Sequence, residues 1–113
     1  MDALEFANGW EAGWNSHDLD RIVSHYRDDV LFRSRRAIEI NGSGEINGKP
    51  ALRANWGEAL RRQPDLRFRV QDVFGGHEML TITYLNQRGV LAAETLYFDN
   101  QGLVFRAAAC HRA

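Results

Sequence analysis

Apolar residues keep one period in the first half of this chain and another in the second, and that change constrains the fold more than any other feature. Up to Pro64 the dominant recurrence is helical. Phe6, Ala7, Trp10 and Trp14 form one stripe between Leu4 and Asn15, and Leu19, Ile22, Val23 and Tyr26 form another between Asp18 and Arg27. After Pro50, Leu52, Trp56 and Leu60 form a third, and Ser16, Asp18 and Pro50 suit helix starts. From Leu66 onward the period is two. Leu66, Phe68 and Val70 alternate with Arg67, Arg69 and Gln71, then Leu80, Ile82 and Tyr84 alternate with their neighbours. Two further strands follow, Val90 to Phe98 and Leu103 to His111. Between the helices, Val30 to Ser34 reads as a strand, and the turn-rich stretch 37–48 suits a small hairpin through Ile38–Ile40 and Glu45–Ile46. Segregation of helices from strands predicts an α+β fold, a single domain over residues 1–113.

Composition narrows the function classes. With 113 residues, 44% hydrophobic and 26% charged, the chain has the make-up of one folded domain. A net charge of −1 gives no basic excess, so no nucleic-acid partner is expected. No apolar run has the length of a membrane span, and Met1–Glu5 opens acidic rather than basic-then-apolar, so a cytoplasmic location is expected. Cys110 is alone and cannot form an internal disulfide. His17, His25, His77 and His111 show no ligand spacing, so no metal is expected. Gly44–Pro50 is one residue short of a phosphate loop and carries Pro50 where a Ser or Thr is needed, and no cofactor is expected.

Several stretches carry a family resemblance. Trp14-Asn15-x-x-Asp18-Leu19-Asp20 and Tyr26-x-Asp28-Asp29-Val30 come first, then Gly48-Lys49-x-Ala51-Leu52-Arg53-x-x-Trp56 and Leu96-Tyr97-Phe98-Asp99-x-x-Gly102-x-Val104. In this order the chain resembles SnoaL-like and ketosteroid-isomerase-like proteins of the nuclear-transport-factor-two-like superfamily. The resemblance implies a cystatin-like cone: a strongly curved, mostly antiparallel sheet wrapped around helices, with an apolar pocket at the open end. It also places the isomerase's carboxylate base at Ser34, its oxyanion tyrosine at Trp10 and its neutral carboxylic acid at Glu94. Only the last position keeps a group of the same kind, so ketosteroid isomerase chemistry is not expected.

Strand parity puts Val90, Ala92, Glu94, Leu96 and Phe98 on the face that lines such a cone. A carboxyl among apolar neighbours must pair or hold its proton, so Glu94 is expected to titrate above its ordinary range. Pairing Tyr84 with Ala92 leaves Tyr84 diagonal to Glu94, where its hydroxyl is expected to bond the carboxyl. Pairing Phe98 with Leu103 across the Asp99–Gly102 turn sets Glu94 opposite Ala107 and His111 roughly 13 Å away, too far for a dyad. The arginines flanking Ser34, at 33, 35 and 36, are either an anion clamp or a solvated edge. Glu94 and Tyr84 are the candidate catalytic pair, and Trp10, Trp14, Phe32, Ser34, Leu96 and His111 the candidate ligand-binding residues.

Two functional readings follow. One is a cofactor-free isomerase, hydratase or cyclase acting on a small apolar molecule. The other is a non-catalytic ligand-binding or dimerisation module of the same fold. Leu91, Ala93, Thr95 and Tyr97 make the strand apolar on its second face too, and Val104, Ala108 and Cys110 are expected to continue that face on the last strand. A strand apolar on both faces is normally covered on both, so a homodimer through the outer sheet face is expected.

Overall fold

Asp2 begins the first helix by accepting a bond from the Glu5 amide on its side chain, 3.1 Å long, and α1 runs over Ala3–Ser16. A computed structural model describes all of residues 1–113. Asp18 starts the short α2, Leu19–Val23, by accepting from the Arg21 amide. The helix ends earlier than its apolar stripe implies. Tyr26 opens a nine-residue strand, β1, Tyr26–Ser34. Its ring still faces the core, because the first residue of a strand can meet the same interior as the next turn of a helix.

After β1 the expected hairpin through Ile38–Ile40 does not form. Ser34 instead accepts from the Arg36 amide at 3.2 Å and begins a 3₁₀ turn, Arg35–Ala37, which leads into a single helical turn, α3, Ile38–Asn41. The chain then returns as β2, Glu45–Asn47, which pairs antiparallel with β1 itself, Phe32 opposite Ile46. The hairpin therefore exists with β1 as its first arm. Gly48, at φ 89°, makes the reversal into α4, Lys49–Arg62, and its amide bonds the Val30 carbonyl at 2.7 Å. A side chain there would be held in the left-handed region that glycine alone adopts freely.

Four strands complete the fold: β3, Arg69–Gly76; β4, Met79–Leu85; β5, Leu91–Phe98; and β6, Val104–His111. Leu66 and Phe68, read as strand residues, lie in the coil before β3. The sheet order is β2-β1-β6-β5-β4-β3, and only β1 and β6 run parallel. Helices α1 and α4 fill the concave side, and one core of 21 buried residues joins them to the sheet. No helix is long and apolar enough to cross a membrane.

The β5–β6 register departs from the expected one. The turn closes with the Asp99 amide bonded to the Leu103 carbonyl at 2.8 Å, and a bulge follows between the Tyr97 and Phe98 pairings. Phe98 thus pairs with Val104, Leu96 with Ala107, and Glu94 with Ala109 rather than Ala107. The slip is even, so Glu94, Ala107, Ala109 and His111 keep their common face. Val104 is the exception to the expected parity: ahead of the bulge it points inward and is fully buried, while Ala108 and Cys110 point outward.

Candidate functional site

Aromatic residues from four elements build one wall. Trp56 of α4 packs edge-on against Trp14, Tyr26 and Phe32, with ring centroids 4.9, 5.1 and 5.3 Å away. Phe68 lies 4.7 Å from Tyr84 and stacks on Trp10 at 5.5 Å. Asn15 holds that segment in place: its amide donates to the Phe68 carbonyl at 2.9 Å and accepts from the Phe68 amide at 2.7 Å. Beside this wall a cavity of about 270 Å³ opens toward α3 and the end of α4.

Of the residues expected to form the site, Trp14, Phe32, Ser34, Tyr84, Glu94 and His111 line this cavity. Trp10 and Leu96 do not. Both are sealed in the core, Leu96 under the helices and Trp10 between Phe68 and Tyr84. The Ser34 hydroxyl is engaged as the cap of the 3₁₀ turn.

Glu94 is 4% exposed. Burial pushes its pKa up to about 8, against the opposing pull of the Trp10 indole and the Tyr26 hydroxyl, which favour the ionised form. Neither neighbour closes a full hydrogen bond: Trp10 Nε1, the Tyr26 hydroxyl and Glu94 Oε2 are all buried without a partner. Desolvation therefore dominates, and the carboxyl carries its proton at neutral pH. The expected Tyr84–Glu94 hydrogen bond is not made. Tyr84 sits opposite Ala92, diagonal to Glu94, and the two interact only through space. Burial and the nearby Glu94 charge drive the Tyr84 phenol far above its ordinary range, so it remains a donor. Tyr26 titrates higher still than a free phenol for the same two reasons, burial first.

His111 pairs with Ala92, one diagonal step from Glu94, about 7–8 Å away rather than 13 Å. The two still form no dyad. The His111 pKa is lowered by burial and then by Arg36 and Arg35, and its Nδ1 has no partner. Of the arginines flanking Ser34, Arg36 in the 3₁₀ turn lines the cavity, whereas Arg33 is exposed and paired with Glu45; the structure adds Asn55 and Arg62 from α4 and Gln63 from its cap. Asn55 had a signal. It stands between Leu52 and Trp56 on the apolar stripe of α4, a polar residue where the helix meets the core.

An aromatic-walled pocket held between a curved sheet and its helices, with one protonated carboxyl inside, defines a pocket-bearing α+β cone. The chain belongs to the SnoaL-like domain family, whose pattern matches residues 7–113. It is similar to a SnoaL-like protein of unknown function from Burkholderia thailandensis E264, with 38% identity and a TM-score of 0.92 over 98% of this chain and 95% of that one. An uncharacterised cystatin-fold protein from Novosphingobium aromaticivorans shares the fold at 20% identity, with a TM-score of 0.80 over 97% of this chain and 98% of that one. So does TerC, co-crystallised with polyporic acid, at 13% identity, with a TM-score of 0.79 over 97% of this chain and 91% of that one. No curated protein matches the chain.

Proposed function

We propose that the cavity binds a small, largely apolar molecule and that Glu94 serves there as a general acid–base residue in a cofactor-free isomerisation, hydration or cyclisation. The carrying observation is the position of Glu94: a single carboxyl, desolvated in the cavity wall, with a pKa near 8. A group poised near neutrality can give a proton to a substrate oxygen and take one back from an adjacent carbon within one cycle. Tyr84, uncharged and diagonal to Glu94, supports a second hydrogen bond to the same oxygen. TerC, which shares the fold, was co-crystallised with polyporic acid, and that supports a small-molecule reading here.

The alternative reading, a binding module without turnover, is favoured by Ser34, which stands where the resemblance implies a base and is engaged as a cap. Comparison of wild type with Glu94→Gln on a panel of cyclic ketones and epoxides separates the two. The enzyme reading expects turnover that falls by about 100-fold or more in the variant, with ligand affinity retained. Binding without turnover in either protein supports the module.

The homodimer belongs to the same proposal. Phe74 is 60% exposed and Tyr97 36% exposed on the convex face, beside Met79, Thr81, Thr95 and Ala108. No helix of the chain covers these side chains, and a second copy laying its own sheet there would do so.

A further inference from the structure

The polar groups around the cavity are almost all donors. Three arginines line it, Arg36, Arg62 and Arg88, against two carboxyl side chains, the buried Glu94 and the exposed Glu39. Arg62 is paired with Glu58 and reaches the Glu39 carbonyl. Arg36 is half-buried, and its guanidinium has neither an ion pair nor a hydrogen bond. It is close enough to Tyr84 and His111 to act on the titration of both.

The neutral groups repeat this bias. Asn55 is 3% exposed, and its Nδ2 donor finds no acceptor in the chain. The Gln63 carbonyl oxygen already accepts from Gln87 at 2.8 Å, which leaves its amide protons for the cavity. The Ser34 oxygen accepts from the Arg36 amide, which leaves its hydroxyl proton free to donate. A buried donor without an acceptor costs free energy, and Asn55 Nδ2 and Trp14 Nε1, both buried and unpartnered on residues that line this space, are balanced by an occupant that supplies acceptors.

We infer that the molecule this cavity takes is an organic anion, a carboxylate or enolate on a body of one or two apolar rings, with its charge directed to Arg36 and its rings against Trp14, Phe32 and Trp56. This rests on the pocket reading above and names the substrate class within it. Size agrees: about 270 Å³ lies just below the range of about 300–1,000 Å³ typical of ligand pockets, which suits a body of one or two rings. Arg36 supplies what the aromatic wall cannot, a charge-assisted fork for a planar anion.

Isothermal titration calorimetry with 2-naphthoate and 2-naphthamide, a matched pair differing in charge, tests the inference. Wild type should bind the acid about ten-fold more tightly than the amide at neutral pH. Arg36→Gln should erase that preference by lowering acid affinity far more than amide affinity, and Arg36→Lys should restore part of it. Should Arg36→Gln fail to fold, Arg88→Gln, on an exposed side chain, should reduce the preference by about two-fold. Equal binding of acid and amide, or an undiminished preference in the variants, overturns the anion site and leaves the pocket reading standing. Binding of neither compound overturns both.

Discussion

Replacing Glu94 with glutamine should change the stability of the protein in a way that depends on pH, and the form of that dependence follows from the site. The folded chain holds the Glu94 proton up to about pH 8, whereas an ordinary glutamate releases it near 4.5. Between those values the folded state binds more protons than the unfolded state, so wild-type stability falls as pH rises. Below about pH 4.5 both states are protonated and the group costs nothing. Above about pH 8 the full cost of a buried charge is present. At 1.36 kcal/mol per unit, the displacement from 4.5 to about 8 corresponds to about 5 kcal/mol, a third or more of the stability of an ordinary domain. Glutamine has nearly the same shape and does not titrate. Glu94→Gln should therefore lie within about 1 kcal/mol of wild type at acid pH and gain on it steadily through the window, reaching a plateau in mild alkali. Urea unfolding followed by far-ultraviolet circular dichroism, at matched pH values from about 4 to about 9, measures both curves. Groups other than Glu94 cancel in the difference. A difference that does not vary with pH, or one that turns against the variant as pH rises, would refute the reasoning. The second result would mean that Trp10 and Tyr26 hold Glu94 ionised in the folded protein.

Further expectations follow from other contacts. Asn15→Ala removes both hydrogen bonds to the Phe68 backbone and should lower stability by about 2 kcal/mol in chemical denaturation. It should also weaken 2-naphthamide binding, because Phe68 forms part of the cavity wall; an unchanged unfolding midpoint would contradict the first expectation. Tyr97→Asp places a charge at the centre of the exposed apolar face and should shift the protein toward monomer in sedimentation velocity. A wild type that already sediments as a monomer at high micromolar concentration would defeat the dimer proposal.

The parts of the fold legible in the sequence are those that depend on near neighbours. Inward and outward parity along β4 and β5 is such a property, because successive side chains alternate whatever the strand pairs with. Hence Glu94 and Tyr84 could be placed on the concave face, and the Tyr84–Ala92 pairing read across the Asn86–Gly89 turn, from the chain alone. The β5–β6 register is not local in the same sense. It depends on a turn one residue wider than a Phe98–Leu103 pairing and on one extra residue in a bulge, neither announced by a turn signal, and together they bring His111 to one diagonal step from Glu94. Tyr26 illustrates a different ambiguity. Ile22 and Tyr26 share an i, i+4 spacing that suits a helical stripe, yet the chain leaves the helix at Val23 and still delivers the Tyr26 ring to the core. Read as a helix residue, Tyr26 cannot be placed beside Glu94, which leaves Tyr84 as the tyrosine that strand parity brings near the carboxyl.

The chemistry of the site is least legible because it depends on what is left unpaired. Asn55, Gln63, Arg36 and His111 come from α4, its cap, the 3₁₀ turn and β6; parity points His111 inward and the apolar stripe of α4 marks Asn55, but whether any of the four keeps a free donor or charge is not written in its own element. They matter because three of them bring a donor, or an unpartnered nitrogen, to the same space with nothing in the chain to receive it, and because Arg36 brings a charge with no counter-ion. An alternation pattern records where a side chain points, but whether its hydrogen-bonding capacity is already spent is decided by contacts among distant segments. Glu94 differs from these in that its surroundings follow from its own strand. A carboxyl at an inward position of an otherwise apolar strand is out of place whichever segments surround it, so its environment could be anticipated before its partners were known.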